Sequence, residues 1–345
     1  MAHQSLYRIH RPTTFKDVIG QEQVTKALAE AVHTKNIAHA YLFAGSRGLG
    51  KTSVARIFAR EINAAAYNEH DVYEIDAASN NSVEDIRALT EGVYTLPFGS
   101  SYKVYILDEA HMLSKSAWNA FLKTLEEPPA YAVFILATTE LEKVPETVQS
   151  RCQVFEFKKP TRQVLAKMVT AIAKKEGCTL SNDAAELIAM LAEGSYRDAL
   201  SVLQKALAGA DDVKKLSRED VERTTGAPRR EQVHALIGAL ANADRGAALA
   251  AIAQAAQSDM DMKLFLQLVI ETLRSTLLIR YAPDLRTSLA TELGTDEFAA
   301  LEGFAKEKGI THATMLAFLT AADRIRYAPI RALPLELAVL ELFPG

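Results

Sequence analysis

One octapeptide limits what this chain can fold into. Gly45-Ser46-Arg47-Gly48-Leu49-Gly50-Lys51-Thr52 satisfies the pattern G-x-x-x-x-G-K-[ST] at every fixed position. The glycines let the backbone curl so that successive N–H groups, including those of Gly45, Ser46, Gly48 and Gly50, face phosphate oxygens. Lys51 is placed to reach the β- and γ-phosphates, the Thr52 hydroxyl to ligate Mg²⁺, and Ser53 follows within the same cradle. The flanks agree: Ala40–Ala44 reads as a buried strand and Thr52–Ile62 as a helix with Val54, Ile57, Phe58 and Ile62 on one side. A helix N-terminus behind the loop adds its dipole to anion binding. A plain glycine-rich turn between strand and helix would not need Lys51-Thr52 in register, so the loop is expected to bind a nucleoside triphosphate.

Such a loop demands a parallel sheet, and the chain supplies one. Val72–Asp76, Lys103–Glu109, Val133–Thr139 and Val154–Phe157 read as further strands, alternating with helices over Glu22–Thr34, Val83–Val93 and Lys115–Glu126. Lys103-Val104-Tyr105-Ile106-Leu107-Asp108-Glu109 is an apolar run that ends in two carboxylates, 56 residues beyond Thr52. Ligands sit at the carboxyl ends of such strands. There Asp108 would join the Mg²⁺ shell and Glu109 would polarise an attacking water. Thr139 puts a hydroxyl at the end of the next strand, either to sense the γ-phosphate or position water, or as an ordinary strand-end threonine. Upstream, Val18 and Ile19 beside Gly20 are either packing residues or the wall of a base pocket. The fold class is α/β, a doubly wound parallel sheet, spanning residues 1–160.

From Thr161 only helices are expected. Those near 163–176, 183–193, 196–208 and 218–223 form a small unit over 161–226, bounded by Pro160 and Gly226-Ala227-Pro228. Arg197 stands in the first turn of a helix, where a cation opposes the dipole; the residues leave open an anion partner or a pairing with Glu193. Residues 227–345 read as a second helical block, with helices near 231–240, 247–256, 262–278, 297–308, 311–327 and 334–342, whose apolar stripes indicate a core.

Charge narrows the partners. Residues 1–160 hold 17 Lys+Arg against 19 Asp+Glu, and 226–345 hold 12 against 14, so any nucleic-acid contact must come from a few placed cations. Cys152 and Cys178 do not form a disulfide framework and fit a reducing compartment. The N-terminus lacks an apolar run of signal-peptide type, and no window approaches about 18 apolar residues. No membrane partner is expected, and the expected location is the cytoplasm.

Several stretches carry a more specific resemblance. They are Tyr7-x-x-x-Arg11-Pro12-x-x-Phe15-x-Asp17-Val18-Ile19-Gly20-Gln21, Asp76-Ala77-Ala78-Ser79, Leu107-Asp108-Glu109-Ala110-His111-Met112-Leu113, Leu122-Lys123-Thr124-Leu125-Glu126-Glu127-Pro128-Pro129, Ala137-Thr138-Thr139 and Ser150-Arg151-Cys152. With them the chain resembles the AAA+ ATPases, and within those the bacterial clamp-loader ATPase subunits of DNA polymerase III, the gamma/tau family. The resemblance is strong over residues 5–208. It implies that ATP and Mg²⁺ are bound by Lys51, Thr52 and Asp108, that Glu109 completes the Walker B pair, and that Thr139 is sensor 1. It further implies that Arg197 is sensor 2 on a lid, that Arg151 is an arginine finger acting on a neighbouring subunit, and that Tyr7, Arg11, Pro12, Val18 and Ile19 surround the adenine. Arg87 and Lys123 match positions that face the DNA backbone. Implied partners are the delta and delta prime subunits, further gamma/tau copies, the sliding clamp and primer–template DNA, assembled through residues 227–345 as a collar. Nucleotide binding would open the clamp and hydrolysis would release it.

Two departures from the family stand out. Its four-cysteine zinc module, between the loop helix and the next strand, is here reduced to Ala64–Asp71 without cysteine, so no zinc is expected. Basic residues that follow Asp-Ala-Ala-Ser in the family are replaced by Asn80 and Ser82, which weakens the expected hold on phosphates. A non-catalytic scaffold subunit would have lost Lys51, Thr52, Asp108 and Glu109. A helicase-type motor on branched DNA would need a basic recognition helix near the C-terminus. No polymerase-binding tail is expected before Gly345.

Overall fold

A computed structural model describes residues 4–210, 212, 214–258 and 260–343. Five strands, β1 (Ala40–Ala44), β2 (Val72–Asp76), β3 (Lys103–Asp108), β4 (Ala132–Thr138) and β5 (Gln153–Glu156), form one parallel sheet in the order β2-β3-β4-β1-β5. Around it run α1 (Leu6–Ile9), α2 (Glu22–His33), α3 (Lys51–Ile62), α4 (Val83–Val93), α5 (Lys115–Glu126) and α6 (Glu146–Gln149).

The central strands are apolar throughout because both faces are covered. Tyr41, Phe43, Val104, Ile106, Val133 and Ile135 point into one core with Leu28, Val54 and Phe58 of α2 and α3. The alternate residues Leu42, Tyr105, Leu107, Phe134 and Leu136 point into the other, with Ile86 of α4 and Trp118, Phe121 and Leu125 of α5. A one-residue slip would exchange the faces, so the two-sided burial fixes the register. Helix starts follow from capping: Ser82 accepts from the Asp85 N–H while the Asp85 carboxylate takes the Ser82 N–H, and Ser114 accepts from Ala117.

Beyond the sheet come α7 (Arg162–Lys175), α8 (Asn182–Leu191), α9 (Tyr196–Gly209) and α10 (Arg218–Thr225). The expectation of helices alone fails here. Two-residue strands β6 (Thr179–Leu180) and β7 (Lys215–Leu216) pair in parallel, a ladder too short to show an alternating pattern. Then follow α11 (Arg230–Ala241), α12 (Arg245–Gln257), α13 (Met262–Tyr281), α14 (Arg286–Leu293), α15 (Thr295–Lys306), α16 (His312–Arg324) and α17 (Leu333–Leu342). Among the described residues three helices go beyond the expected set: α1, a single turn stopped before Pro12, α6, a single turn that follows Pro145, and α14, which directly follows a 3-10 turn over Pro283–Leu285.

The chain forms two compact units: residues up to Ile172 with Ile188–Gln204, and Ala173–Leu187 with Lys205 onward. In the second, α13 is the central rod, burying Phe265, Leu266, Leu268, Val269 and Leu273. Also there, Arg230 donates to Asp183 (3.0 Å) and lies 3.2 Å from Glu297, which in turn meets His234 at 3.0 Å. Burial pushes the Glu297 carboxyl up, but His234 and Arg230 outweigh it and leave it lowered.

Candidate functional site

The carboxyl ends of β1, β4 and β3 lie side by side, and the candidate residues collect there. The Gly45 N–H donates to the Thr138 carbonyl at 3.1 Å, which ties the start of the phosphate loop to the end of β4. α3 begins at Lys51, so its unpaired N–H groups face the loop. Lys51 is only 5% exposed, and its ammonium crosses the loop to donate to the Gly45 (2.7 Å) and Ser46 (3.0 Å) carbonyls. Burial pushes this ammonium's pKa down, while Glu109 and Asp108 pull it back. A buried cation held by neutral carbonyls is a donor suited to a phosphate oxygen.

Beside it, the Thr52 hydroxyl donates to Asp108 Oδ2 at 2.7 Å. Hydroxyl and carboxylate together are a hard-oxygen pair of the type that holds Mg²⁺. The Asp108 carboxylate also accepts from the Glu109 N–H (3.0 Å), fixing the bend after β3. Glu109 sits in the left-handed region at φ 50°, a strained conformation for a residue with a side chain. Its Oε2 accepts from the Thr139 hydroxyl at 3.1 Å. The neighbouring Thr138 is fully buried, with its hydroxyl 3.1 Å from His111 Nδ1. The His111 side chain, 6% exposed, stands between Glu109 (3.5 Å) and Glu140 (3.3 Å).

Of the residues expected around a base, Arg11 meets the helix behind the phosphate loop and Tyr7 meets the start of α9. Arg11 donates to Ser53 Oγ at 2.9 Å, and the Arg197 guanidinium lies over the Tyr7 ring at 4.8 Å. Ser5, Arg8 and Arg197 hold the Tyr7 phenol down to about 8. Pro12 is half-buried. Val18 packs against the core of α2 and α3, whereas Ile19 is 44% exposed. Arg197 is reached because the start of α9 docks on the phosphate loop: a Cβ at Gly48 (φ 78°) would lie 2.0 Å from Ser195 Oγ. Only glycine fits that approach.

Three expected residues stand apart. Arg151 is held by Glu126 (2.6 Å) and the Thr147 carbonyl (2.7 Å), and Arg87 and Lys123 are exposed on α4 and α5. His111, Glu126, Glu140 and Tyr196 take part without having been singled out from sequence. His111 and Glu126 lie inside the quoted motifs, whereas Glu140 and Tyr196 only adjoin the assigned Thr139 and Arg197. Among the described residues no group of three or more His, Cys, Asp or Glu is placed to hold a metal ion, and no helix is long and apolar enough to cross a membrane.

Comparison with known proteins covers nearly the whole chain. Residues 20–73 and 63–161 match the family model of the DNA polymerase III delta subunit. Residues 164–212 match the ATPase lid domain of the DNA polymerase III clamp loader subunit, and 216–344 match domain III of the gamma and tau subunits. DNA polymerase III subunit tau of Bacillus subtilis is 42% identical over 303 residues, covering 83% of this chain and 54% of that relative. The tau subunit of Escherichia coli is 35% identical over 364 positions, covering 99% of this chain and 55% of the relative. The chain thus spans about half the length of these relatives. Among solved structures, the Holliday junction branch migration motor RuvB of Thermotoga maritima aligns with a TM-score of 0.54 at 22% identity, over 67% of this chain and 79% of that one, a likeness of fold.

Proposed function

The chain belongs to the gamma/tau family of DNA polymerase III clamp-loader subunits, and from that membership we propose that it is an ATP-hydrolysing subunit of a clamp loader. The observation that carries the reading is the convergence of Lys51, the Thr52–Asp108 pair and the Thr139–Glu109 pair at three adjacent strand ends. A non-catalytic scaffold subunit would have no use for that convergence.

Bound ATP with Mg²⁺ supplies the phosphoanhydride bond and the charge that the metal shares. Lys51 and the loop N–H groups hold the phosphates, and Thr52 and Asp108 hold the metal. Glu109 takes the proton of the attacking water at its carboxylate, with Thr139 fixing which oxygen faces it. Arg197 approaches the phosphates from the lid side, and Tyr7, Arg11, Pro12, Val18 and Ile19 enclose the base. Arg151 serves the site of a neighbouring subunit, where a cation stabilises charge on the leaving group.

The domain reading follows: residues 1–160 bind nucleotide, 161–226 form the lid, and 227–345 form the collar. The partners are delta and delta prime subunits, further gamma/tau copies, the sliding clamp and primer–template DNA, in the cytoplasm. Arg87 and Lys123 supply phosphate contacts, fewer than the family pattern because Asn80 and Ser82 are neutral.

The test is native mass spectrometry of the protein isolated from its own cells, together with ATP turnover measured with and without clamp and primed DNA. Co-assembled clamp-loader subunits and stimulated turnover are expected. A lone protein whose turnover ignores both additions would overturn the reading.

A further inference from the structure

Resting on the reading of this site as an ATP site, we propose that Tyr196 is a positioning residue that ties the base end of the site to its phosphate end. Its two polar groups go to opposite ends. The backbone N–H donates to the Gly48 carbonyl in the phosphate loop at 3.1 Å, and the phenol donates to the Ile19 carbonyl in the base-side turn at 2.7 Å.

Each of those two bonds starts from a locally held segment. Tyr196 is the first residue of α9, whose start is fixed by Ser195 Oγ accepting from the Asp198 N–H. The Ile19 turn is equally held, since the Gly20 N–H donates to Glu22 Oε1 at 3.0 Å. Gly20 sits at φ 73°, and a Cβ there would come within 2.2 Å of the Tyr196 phenol oxygen. Gly20 therefore leaves the space in which the phenol reaches its acceptor. Burial, with Glu22 nearby, pushes the phenol up to about 12, so the hydroxyl keeps its proton and stays a donor at neutral pH. Since one residue touches both ends, loss of the phenol hydrogen bond uncouples the base-side turn from α9 without touching the phosphate loop.

The experiment compares Tyr196→Phe with the unmodified full chain, using two probes by titration calorimetry: MgATP, which spans both ends, and Mg-tripolyphosphate, which has no base. For Tyr196→Phe the Kd of MgATP is expected to rise by about 3–10-fold, the scale of one lost hydrogen bond. The Kd of tripolyphosphate should not change, and KM for ATP should rise with kcat unaltered. Equal weakening of both probes would mean plain packing and would overturn the proposal. So would an unchanged or tighter MgATP Kd, the latter showing that phenol and base compete for the Ile19 carbonyl. Failure of the unmodified chain to bind MgATP would overturn the ATP reading itself, before any variant is tested. A second measurement needs no variant: tripolyphosphate alone should slow amide exchange at Gly20 and Gln21 in the unmodified chain. Absence of that protection also overturns the proposal.

Discussion

The Thr139 hydroxyl donates to Glu109 Oε2 at 3.1 Å, joining the end of β4 to the residue that follows β3. One threonine thereby sets the orientation of a carboxylate whose backbone is held in the left-handed conformation. On the proposed reading Lys51 serves binding and Glu109 serves turnover. Lys51→Ala should weaken ATP binding by roughly 10–100-fold, because it removes a charge-assisted donor. Glu109→Gln should bind normally and lose roughly 10²–10⁴ in turnover. Thr139→Val should fall between, with binding intact. Filter binding and steady-state turnover on the three variants check this, and equal binding losses in all three would contradict the assignment.

Arg151 leads to a prediction in trans. Its guanidinium is held 2.6 Å from Glu126 at the end of α5, so it is oriented before any partner arrives. Arg151→Ala should leave the ATP Kd of the isolated subunit within about twofold, yet lower stimulated turnover of the assembly by roughly 10³ or more. Assemblies that mix Arg151→Ala with Lys51→Ala subunits should regain some hydrolysis, since one supplies the finger and the other the site. Full activity of Arg151→Ala in the assembly refutes the role.

Metal content is the third expectation. The stretch Ala64–Asp71 has no cysteine, and His70 alone cannot build a tetrahedral site. Elemental analysis of the purified protein should find far less than one zinc per chain, and extensive dialysis against a chelator should leave the melting temperature unchanged. A stoichiometric zinc would require ligands from elsewhere in the chain.

Asp71 makes stability depend on acid. It is fully buried by surface area, and its carboxylate accepts from the N–H groups of Phe98 (2.6 Å), Gly99 (3.0 Å) and Ser100 (2.8 Å). Burial pushes its pKa up, but the three backbone donors outweigh that and leave it below the usual value. A group lowered on folding stabilises the fold above its unfolded pKa, near 4, and loses that contribution as pH falls through the lower folded value. Asp71→Asn should cost about 2 kcal/mol or more at neutral pH, because an amide cannot accept from all three donors. The difference between the two proteins should shrink below about pH 4. Urea denaturation at neutral and acid pH measures it, and a pH-independent difference would show that charge is not the cause.

Much of the site was legible because its signals are local. Gly45–Thr52 is a contiguous loop, Asp108 and Glu109 end one apolar strand, and strand and helix periods are written over a few residues at a time. The order of the five strands could be narrowed, since α/β alternation and right-handed crossovers leave few topologies. Neither signal reaches pairings between distant residues. Thr179–Leu180 pairs with Lys215–Leu216 across a gap that no period spans. The Asp71 carboxylate finds three amides 27–29 residues on. The sequence marked Arg197 by its place in a helix start, yet that it lies over Tyr7 follows only from folding α9 back onto the loop. Tyr196 carried no pattern of its own. Residue type and spacing determined which groups could do the chemistry, because backbone conformation and burial pattern are set by near neighbours. Which groups hold one another, from Thr139 on Glu109 to Tyr196 on Ile19 and Gly48, was decided by tertiary structure, because hydrogen-bond partners are chosen by distance in space after the chain has packed.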